Sequence, residues 1–367
     1  MRIVLIGPVY PYRGGIAHYT TRLAQAVKEE GHELKVVSFR RQYPRFLYPG
    51  KSDRDPSRAV ERVEAEFVLD PLYPWTWRQT VERIKTFAPN LVVIQWWTTF
   101  WAPAFWWVAR SLKSVCKVVF LIHNVLPHET RFFDPWLSKW ALSQGSGFVV
   151  QAESQREKLK ELLPKAEPLL VEHPLYDQFA KRRIDKNEAR RRLGLPEDQL
   201  VLLFFGIVRP YKGLKNLIEA LALVHEQGYR PILVVAGEFW ENVEEYKKRI
   251  EELGLKEVVW IYNYYIPNEE VPVFFSAADV FVAPYTGGTQ SGALKIALAF
   301  GLPVVASEGI MEGEISSPRT ILISGEHPKQ ISKVLYSLFS KPSMFHYQEG
   351  YSFISWNSIV YNLVKLS

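Results

Sequence analysis

Two basic residues, Arg209 and Lys212, lie three positions apart in the stretch FFGIVRPYKGLKNLIEAL at residues 204–221. They follow an apolar run that is typical of a strand, and Gly213 separates them from a helical pattern. Arginine offers a planar fork of hydrogen-bond donors, whereas lysine offers a compact point charge. At the carboxyl end of a strand, such a pair suits a diphosphate. Two ordinary surface cations are the alternative, which the strand-end position and the glycine disfavour.

Glycine-rich turns precede two further helical patterns. The first, GPVYPYRGGIAHY at 7–19, contains Gly14 and Gly15, and the second is PYTGGTQSGALKIALAFGLPVVAS at 284–307. Glycine allows close approach of a ligand, and a helix N-terminus presents N–H groups that favour an anion such as phosphate. The first turn is not a GxGxxG sequence, and Arg40-Arg41 stands where an acidic residue would end the second strand, so a dinucleotide site is disfavoured. A tight turn would explain the glycine pair equally well.

Composition limits the class of protein. Of 367 residues, 47% are hydrophobic and 23% charged, as in folded soluble proteins. The apolar runs are shorter than the roughly 20 residues of a membrane span, and the opening strand has no signal-peptide pattern. The single cysteine, Cys116, excludes an internal disulfide framework and a cysteine-based metal cluster. These features predict a cytoplasmic location.

Positive charge is concentrated in the N-terminal half. Residues 1–175 contain 24 Lys and Arg against 17 Asp and Glu, although the net charge of the whole chain is +6. This surplus suits an anionic membrane or a phosphorylated substrate. A solvated surface with a modest basic excess is the alternative interpretation.

Short Val/Ile/Leu-rich runs alternate with amphipathic stretches along the whole chain, which indicates βαβ units and parallel sheets. The alternation stops in a charged segment at 175–198 and then restarts. We therefore predict an α/β protein with two Rossmann-like domains that face each other across a ligand-binding cleft. The predicted boundaries are 1–175 for the first domain, 176–345 for the second and 346–367 for a C-terminal helix.

The order of these motifs resembles that of the retaining glycosyltransferases of the GT-B fold, the family called glycosyl transferases group 1. The matching features are the Gly14-Gly15 turn, His123 after the strand in FLIHN, the Arg209 and Lys212 pair, and the glycine-rich loop that leads into GLPVVA. The ending FISWNSIVYNLV resembles the family's last helix, which crosses back to the first domain.

The resemblance implies roles for particular residues. His123, Arg209 and Lys212 would be catalytic, with His123 orienting or polarising the donor sugar. A second set would bind the diphosphate and sugar of the donor: Gly14, Gly15, Gly206, Thr289, Gln290, Ser291 and Gly292. Many family members also hold the ribose with the second of two glutamates. Here Ile296 occupies that position and cannot accept a hydrogen bond, so the loop is that of a subgroup and the donor nucleotide is left open.

The segment WWTTFWAPAFWW at 96–107 contains five tryptophans and two phenylalanines. A helix face that fills the core of the first domain is one interpretation. The other is an acceptor groove or a membrane contact, because indole rings favour boundaries between wet and apolar surroundings. On the second interpretation Trp97 and Trp101 would contact the acceptor.

These observations predict a glycosyltransferase that moves a sugar from a nucleotide-diphosphate sugar to a glycan or lipid-linked acceptor, with retention and without a metal or cofactor. The expected partners are that donor, the acceptor and an anionic membrane at its cytoplasmic face, but no nucleic acid. A sugar-nucleotide epimerase of the same fold and a non-catalytic module that binds nucleotide sugars or membranes remain the alternatives.

Overall fold

The computed structural model describes residues 1–44, 50–127, 130–288, 290–310, 320–323, 327–340 and 353–367. The chain divides into two compact units. Unit 1 comprises residues 1–56, 60–174 and 354–367, and unit 2 comprises residues 57–59 and 175–353. Each unit is an α/β domain, and each is described by itself below.

Unit 1 contains a sheet whose described strands run parallel in the order β3-β2-β1-β4-β5-β6-β7. Its elements up to the unit boundary are β1 (Arg2–Ile6), α1 (Gly15–Glu29), β2 (Glu33–Phe39), β3 (Glu66–Leu69), α2 (Pro74–Phe87), β4 (Leu91–Trp96), α3 (Ala102–Leu112), β5 (Lys117–Ile122), α4 (Asp134–Leu142), β6 (Gly147–Val150), α5 (Glu153–Leu162) and β7 (Leu169–Leu170). Strand order reverses direction between β1 and β4, which is where ligands bind in open α/β sheets.

Unit 2 repeats this plan with parallel strands in the order β10-β9-β8-β11-β12-β13. Its elements are α6 (Asp177–Ala180), α7 (Lys186–Leu193), β8 (Val201–Phe205), α8 (Leu214–Glu226), β9 (Ile232–Ala236), α9 (Val243–Glu252), β10 (Val259–Tyr262), α10 (Val271–Ala277), β11 (Val280–Ala283), α11 (Gly292–Ala299), β12 (Val304–Ser307), β13 (Thr320–Ile323) and α12 (Pro328–Ser340). Here the order of strands reverses between β8 and β11.

The last helix, α13 (Trp356–Lys365), belongs to unit 1 although unit 2 precedes it in the chain. Ser355 caps its N-terminus by accepting a hydrogen bond from the backbone N–H of Ser358. The helix packs on α1, and the ring of Trp356 lies 4.9 Å from that of Tyr19. The chain therefore completes the first domain only at its C-terminal end.

The central strands form because their side chains are Val, Ile, Leu and Phe, which suit a sheet covered on both faces. β4, β8, β9 and β11 are buried along their whole length. Two parallel α/β sheets confirm the predicted fold class. Among the helices in the described ranges, none is long and apolar enough to cross a membrane.

The tryptophan-rich segment fills the core of unit 1 in part, as one of its two predicted interpretations requires. Trp101 is fully buried beside Phe39 and Phe105, with ring centroids 4.2 Å and 5.4 Å away. Its ring has no surface with which to contact an acceptor, so the expectation that Trp101 binds the acceptor is corrected to a core role. Trp97 is 9% exposed, and its indole N–H donates to the hydroxyl of Tyr43 at 2.7 Å. An acceptor role for Trp97 stays a prediction.

Candidate functional site

In unit 2, the loop after β8 carries the predicted cations. Arg209, Lys212 and Gly206 all lie at the carboxyl end of this strand, next to β11 across the reversal in strand order. The residues Pro210–Lys212 form a short 3₁₀ turn that ends at Gly213 in the left-handed conformation, with φ of 69°. A Cβ atom at Gly213 would lie 2.0 Å from the carbonyl oxygen of Pro284. Glycine therefore lets this loop approach the loop after β11 closely.

Both neighbouring loops hold the Arg209–Lys212 loop in place. The backbone N–H of Thr286, after β11, donates to the carbonyl of Tyr211 at 2.7 Å. On the other side, Val208 and Glu238 pair through their backbones at 2.9 Å, next to the loop after β9. Backbone hydrogen bonds thus position both cations at the switch point of the sheet.

Lys212 is the cation whose surroundings are most clearly suited to an anion. Its ammonium group lies over Gly206, where an added Cβ would be only 2.9 Å from Nζ, and it lies 5.4 Å from the ring of Tyr285. No carboxylate in the described part of the chain forms an ion pair with it. Burial, together with the charge of Arg209, lowers the pKa of Lys212. An anionic ligand would relieve both effects.

Arg209 is half-buried between two aromatic rings. Its guanidinium carbon lies 5.5 Å from the ring of Tyr211 and 5.3 Å from the ring of Trp240. Cation–π contacts of this kind restrain the position of a guanidinium group. Trp240 was not among the predicted site residues, because it follows β9 at some distance in the sequence.

The glycine-rich loop brings Ser291 to the same end of the sheet. Its hydroxyl caps α11 by accepting from the N–H of Leu294 at 3.3 Å, and it lies 3.2 Å from the hydroxyl of Tyr285. Burial raises the pKa of Tyr285 to about 12. Gln290 and Gly292 flank this cap, whereas Thr289 lies outside the described residues. Tyr285 thus connects Lys212, which lies near its ring, with Ser291, the residue that caps α11.

Lys295, close to this loop in the sequence, is a buried lysine. It lies on the first turn of α11 and is 3% exposed. Ile296, the position at which the family resemblance implies a ribose-binding glutamate, is 7% exposed and faces the interior. The sequence pattern gives no sign of this lysine, since a charged residue next to an apolar one is common on helices, so only its burial marks it out.

In unit 1, His123 lies directly after β5 and beside the reversal in strand order. It is buried, and its Nε2 lies 2.6 Å from Oε1 of Gln95 at the end of β4. Because an amide oxygen only accepts, Nε2 carries the proton. Burial lowers the pKa of His123 to about 4, against a smaller opposing effect of a hydrogen bond with Gln151. The imidazole is therefore neutral at physiological pH.

An aromatic and amide cluster surrounds this histidine. Tyr19 of α1 meets His123 and His173 edge-on, with ring centroids 4.8 Å and 4.9 Å away. Gln151 donates to the hydroxyl of Tyr19 at 2.7 Å. Gly7 makes room for Gln95, because a Cβ there would lie 2.6 Å from its Cγ. Sequence reasoning found the histidine but none of the groups that hold its ring.

The predicted glycine turn begins α1. Gly14 has φ of 109°, which favours glycine, and its carbonyl accepts from the N–H groups of Ala17 and His18. A Cβ at Gly14 or Gly15 would meet no atom within 4 Å, so the N-terminus of α1 opens onto free space there. Next to it, burial lowers the pKa of His18, while the charges of Asp55 and Glu61 oppose that shift.

Two parallel α/β domains, each with polar residues at the reversal in strand order, are the architecture of the GT-B fold. The fold of Anabaena HepE, solved in complex with UDP-glucose, matches with a TM-score of 0.70 at 14% identity, covering 100% of this chain and 97% of that one. The sequence model described as "Glycosyl transferase 4-like domain" matches residues 14–174, and "Glycosyl transferases group 1" matches residues 185–349. The chain belongs to the glycosyl transferases group 1 family.

Curated relatives match over part of their length. D-inositol 3-phosphate glycosyltransferase 1 of Catenulispora acidiphila is 32% identical over 181 residues, which are 47% of this chain and 43% of that protein. Alpha-monoglucosyldiacylglycerol synthase of Streptococcus pneumoniae is 24% identical over 254 residues, 65% of this chain and 56% of that protein. The chain thus aligns with about half the length of these relatives.

Proposed function

We propose that this protein transfers a sugar from a nucleotide-diphosphate sugar to a glycan or lipid-linked acceptor, with retention of anomeric configuration. Unit 2 would bind the donor and unit 1 the acceptor. The observation that carries the proposal is the position of Lys212, which lies over Gly206 at the switch point of the sheet without a carboxylate partner in the described residues. The names of the relatives, which include a glycolipid synthase, support this class of acceptor.

The chemistry requires a way to stabilise the diphosphate as the bond to the anomeric carbon breaks. Lys212 and Arg209 would supply positive charge to the departing oxygens, and the capped N-terminus of α11 would add backbone N–H groups. Because these groups are fixed by neighbouring loops before the donor binds, they need little reorganisation during the reaction. We therefore propose that leaving-group stabilisation does not depend on a divalent metal.

His123 would act on the sugar rather than on the diphosphate. As a neutral ring with the proton on Nε2, it is already bound to Gln95 and presents Nδ1 as its basic nitrogen. A neutral imidazole can orient a sugar hydroxyl by accepting from it, without placing a cation beside a developing positive charge at the anomeric carbon. Retention of configuration would then follow from attack on the same face that the diphosphate leaves.

The test is release of nucleoside diphosphate from a panel of nucleotide sugars, with and without candidate acceptors. Lys212→Gln should lower kcat by about 10²–10³, the effect of removing one preorganised donor to a developing charge. Lys215→Gln is the matched control, since Lys215 is exposed on the next helix and pairs with Glu245 at the surface. Equal turnover in Lys212→Gln and Lys215→Gln would contradict the assignment.

Two readouts of the same reaction test its finer features. Proton NMR of the first product formed should show the anomeric configuration of the donor, and inversion would overturn the proposed stereochemistry. Activity should also survive EDTA; loss that Mg²⁺ or Mn²⁺ restores would show that a cation, not Lys212 and Arg209, carries the leaving-group charge. Donor hydrolysis or epimerisation without transfer would favour the epimerase instead.

A further inference from the structure

Two neighbouring helices of unit 1 present aromatic rings to solvent. α3 contributes Trp106 and Trp107, and α4 with the residues before it contributes Phe132, Trp136 and Trp140; these five residues are called the outer aromatic face. Phe132 is 96% exposed and Trp136 is 66% exposed. Folded proteins seldom expose so many large rings side by side without a binding role.

The rings of the outer aromatic face are ordered by contacts with one another. Trp106 and Trp140 stack at 4.8 Å with an angle of 12° between planes, and Trp136 and Trp140 stack at 6.1 Å with an angle of 2°. The same short segment that buries Trp101 leaves Trp106 half-buried against the core and turns Trp107 outward, with 43% of its surface exposed.

Basic side chains surround this face. Arg110, Lys113, Arg131 and Lys139 are exposed on the same two helices and the loop before α4. None of them forms an ion pair with a carboxylate among the residues the structure describes. The acidic residue of α4, Asp134, is buried and accepts hydrogen bonds from the hydroxyl of Thr99 and the N–H of Arg131. Its charge is thus directed inward.

We propose that the outer aromatic face docks on the interface of an anionic lipid bilayer. Indole rings favour the headgroup boundary, and each exposed Lys or Arg near an anionic surface adds electrostatic attraction. The helices lie on the membrane rather than crossing it, as amphipathic surface helices do. This goes beyond the proposed transfer reaction, since it names a surface remote in sequence from the donor residues.

Charge and ring geometry favour this occupant over the others. A second copy of the chain would bring four cations against four more, which opposes self-association through this face. A neutral soluble glycan could stack on the exposed rings but would leave the surrounding cations without a counter-charge. A bilayer accepts the ring edges and the cations together.

The experiment is flotation of the full-length protein with phosphatidylcholine vesicles, with or without phosphatidylglycerol. The wild type should float with the anionic vesicles at low salt and be released at high salt. The double variant Phe132→Ser and Trp136→Gln should bind at least about tenfold more weakly, because it loses two rings at the boundary. The triple variant Arg110→Gln, Lys113→Gln and Lys139→Gln should bind roughly a hundredfold more weakly.

Matched controls come from α2 of the same unit. Trp75→Gln removes another exposed indole, 56% exposed, and Arg78→Gln with Lys85→Gln removes two other cations. Both controls should bind like the wild type, and all variants should keep the wild-type melting temperature because the changed side chains are exposed.

Several results would overturn the inference. They are failure of the wild type to float at low salt, equal flotation with neutral vesicles, wild-type binding by the aromatic variant, and an equal loss in the Trp75→Gln control. Sedimentation velocity would detect self-association through the face, and titration with oligosaccharides would detect a glycan site. If the aromatic variant abolished self-association, a second copy of the chain would replace the bilayer as the occupant of the face. If it abolished oligosaccharide binding, a glycan would replace the bilayer. Since no readout measures transfer activity, this inference and the proposed function can fail separately.

Discussion

At the scale of single residues, the site depends on ionisable groups held in unusual states. His123 is neutral because burial disfavours its charged form, and Lys212 has a lowered pKa for the same reason and because Arg209 lies nearby. Opposite requirements follow for the two groups. On the proposed mechanism the histidine acts without a charge, whereas an anion against the lysine would favour its charged form.

The buried histidine predicts an acid-sensitive fold. Its pKa of about 4 lies below the 6.5 of an exposed histidine, so between these values the unfolded chain binds more protons. Stability from this group is complete above pH of about 6.5 and falls as pH drops toward about 4, by about 3 kcal/mol in total.

The measurement is the free energy of unfolding in urea at a series of pH values. His123→Gln, which cannot titrate, should show a shallower fall than the wild type across this window. His18 and His225 also have lowered pKa values and leave a residual slope in both proteins. Parallel pH profiles for wild type and variant would contradict a neutral, buried His123.

The sequence predicts the candidate site in part, and the reason is physical. The positions of Arg209, Lys212 and Ser291 could be predicted because these residues follow strands or begin helices, and local patterns mark such positions. Tyr19, Gln95 and Tyr285 were missed because they matter only through partners that the fold brings close. A tyrosine on an amphipathic helix looks like any half-buried residue until His123 is placed against it.

At the scale of elements, close approach of loops rather than glycine content shapes the proposed donor site. Gly213 and Gly254 have nearly the same φ, 69° and 66°, in the left-handed region. A Cβ at Gly213 would collide with the Pro284 carbonyl, whereas a Cβ at Gly254 would meet nothing within 4 Å. The two positions therefore separate steric conflict from backbone strain.

Gly213→Ala should destabilise unit 2 and abolish donor binding, because the loop after β8 must move away from the loop after β11. Gly254→Ala should cost only about 1 kcal/mol, the strain of a left-handed alanine. Thermal unfolding and nucleoside-diphosphate binding, measured on both variants, check this. Equal melting temperatures would show that the loops can separate without consequence.

A core tryptophan gives a second prediction at this scale. Trp101 packs between Phe39 and Phe105, so Trp101→Ala should lower the free energy of unfolding by about 3–5 kcal/mol. Trp75→Ala, at an exposed indole, should change it by less than about 1 kcal/mol. Chemical denaturation distinguishes the two, and a small effect at Trp101 would restore the surface interpretation of this residue.

Elements were predicted well where apolar runs are long and poorly where they are short. β1, β4, β5 and β8 follow from uninterrupted Val/Ile/Leu patterns. β3 was not predicted, since its four residues, EFVL, lie in a charged stretch and pair with β2 through an irregular register. For residues 96–107, composition alone could not tell buried rings from exposed ones, because buried Trp101 and exposed Trp107 lie within two helical turns of each other.

At the scale of the whole molecule, unit 1 is assembled from segments at opposite ends of the chain. Residues 354–367 join it after all of unit 2 has been made. The buried residues of α13 are Trp356, Ile359, Val360 and Leu363. The side chain of Leu366, just after this helix, lies beside Gly147 of β6, where an added Cβ would be 3.7 Å from it. The first domain is therefore incomplete until the last helix docks on α1.

This arrangement predicts that a change near the C-terminus weakens the N-terminal domain. Trp356 contacts Tyr19 and His173, and Arg22 lies over its ring at 5.9 Å, all within unit 1. Trp356→Ala should lower the stability of unit 1 by about 3–5 kcal/mol, the range for a buried tryptophan. Tyr361→Ala, at a residue of the same helix that is 60% exposed, is the matched control.

Native-state hydrogen exchange locates the effect. In Trp356→Ala, amide protection should fall in α1, β1 and β4, but should persist in β8, β9 and β11, because those strands have their own core in unit 2. The control should leave both sheets protected. Loss of protection confined to unit 2, or spread equally over both units, would show that the last helix does not complete the first domain, and the ring cluster of Tyr19, His173 and Trp356 would then need another role.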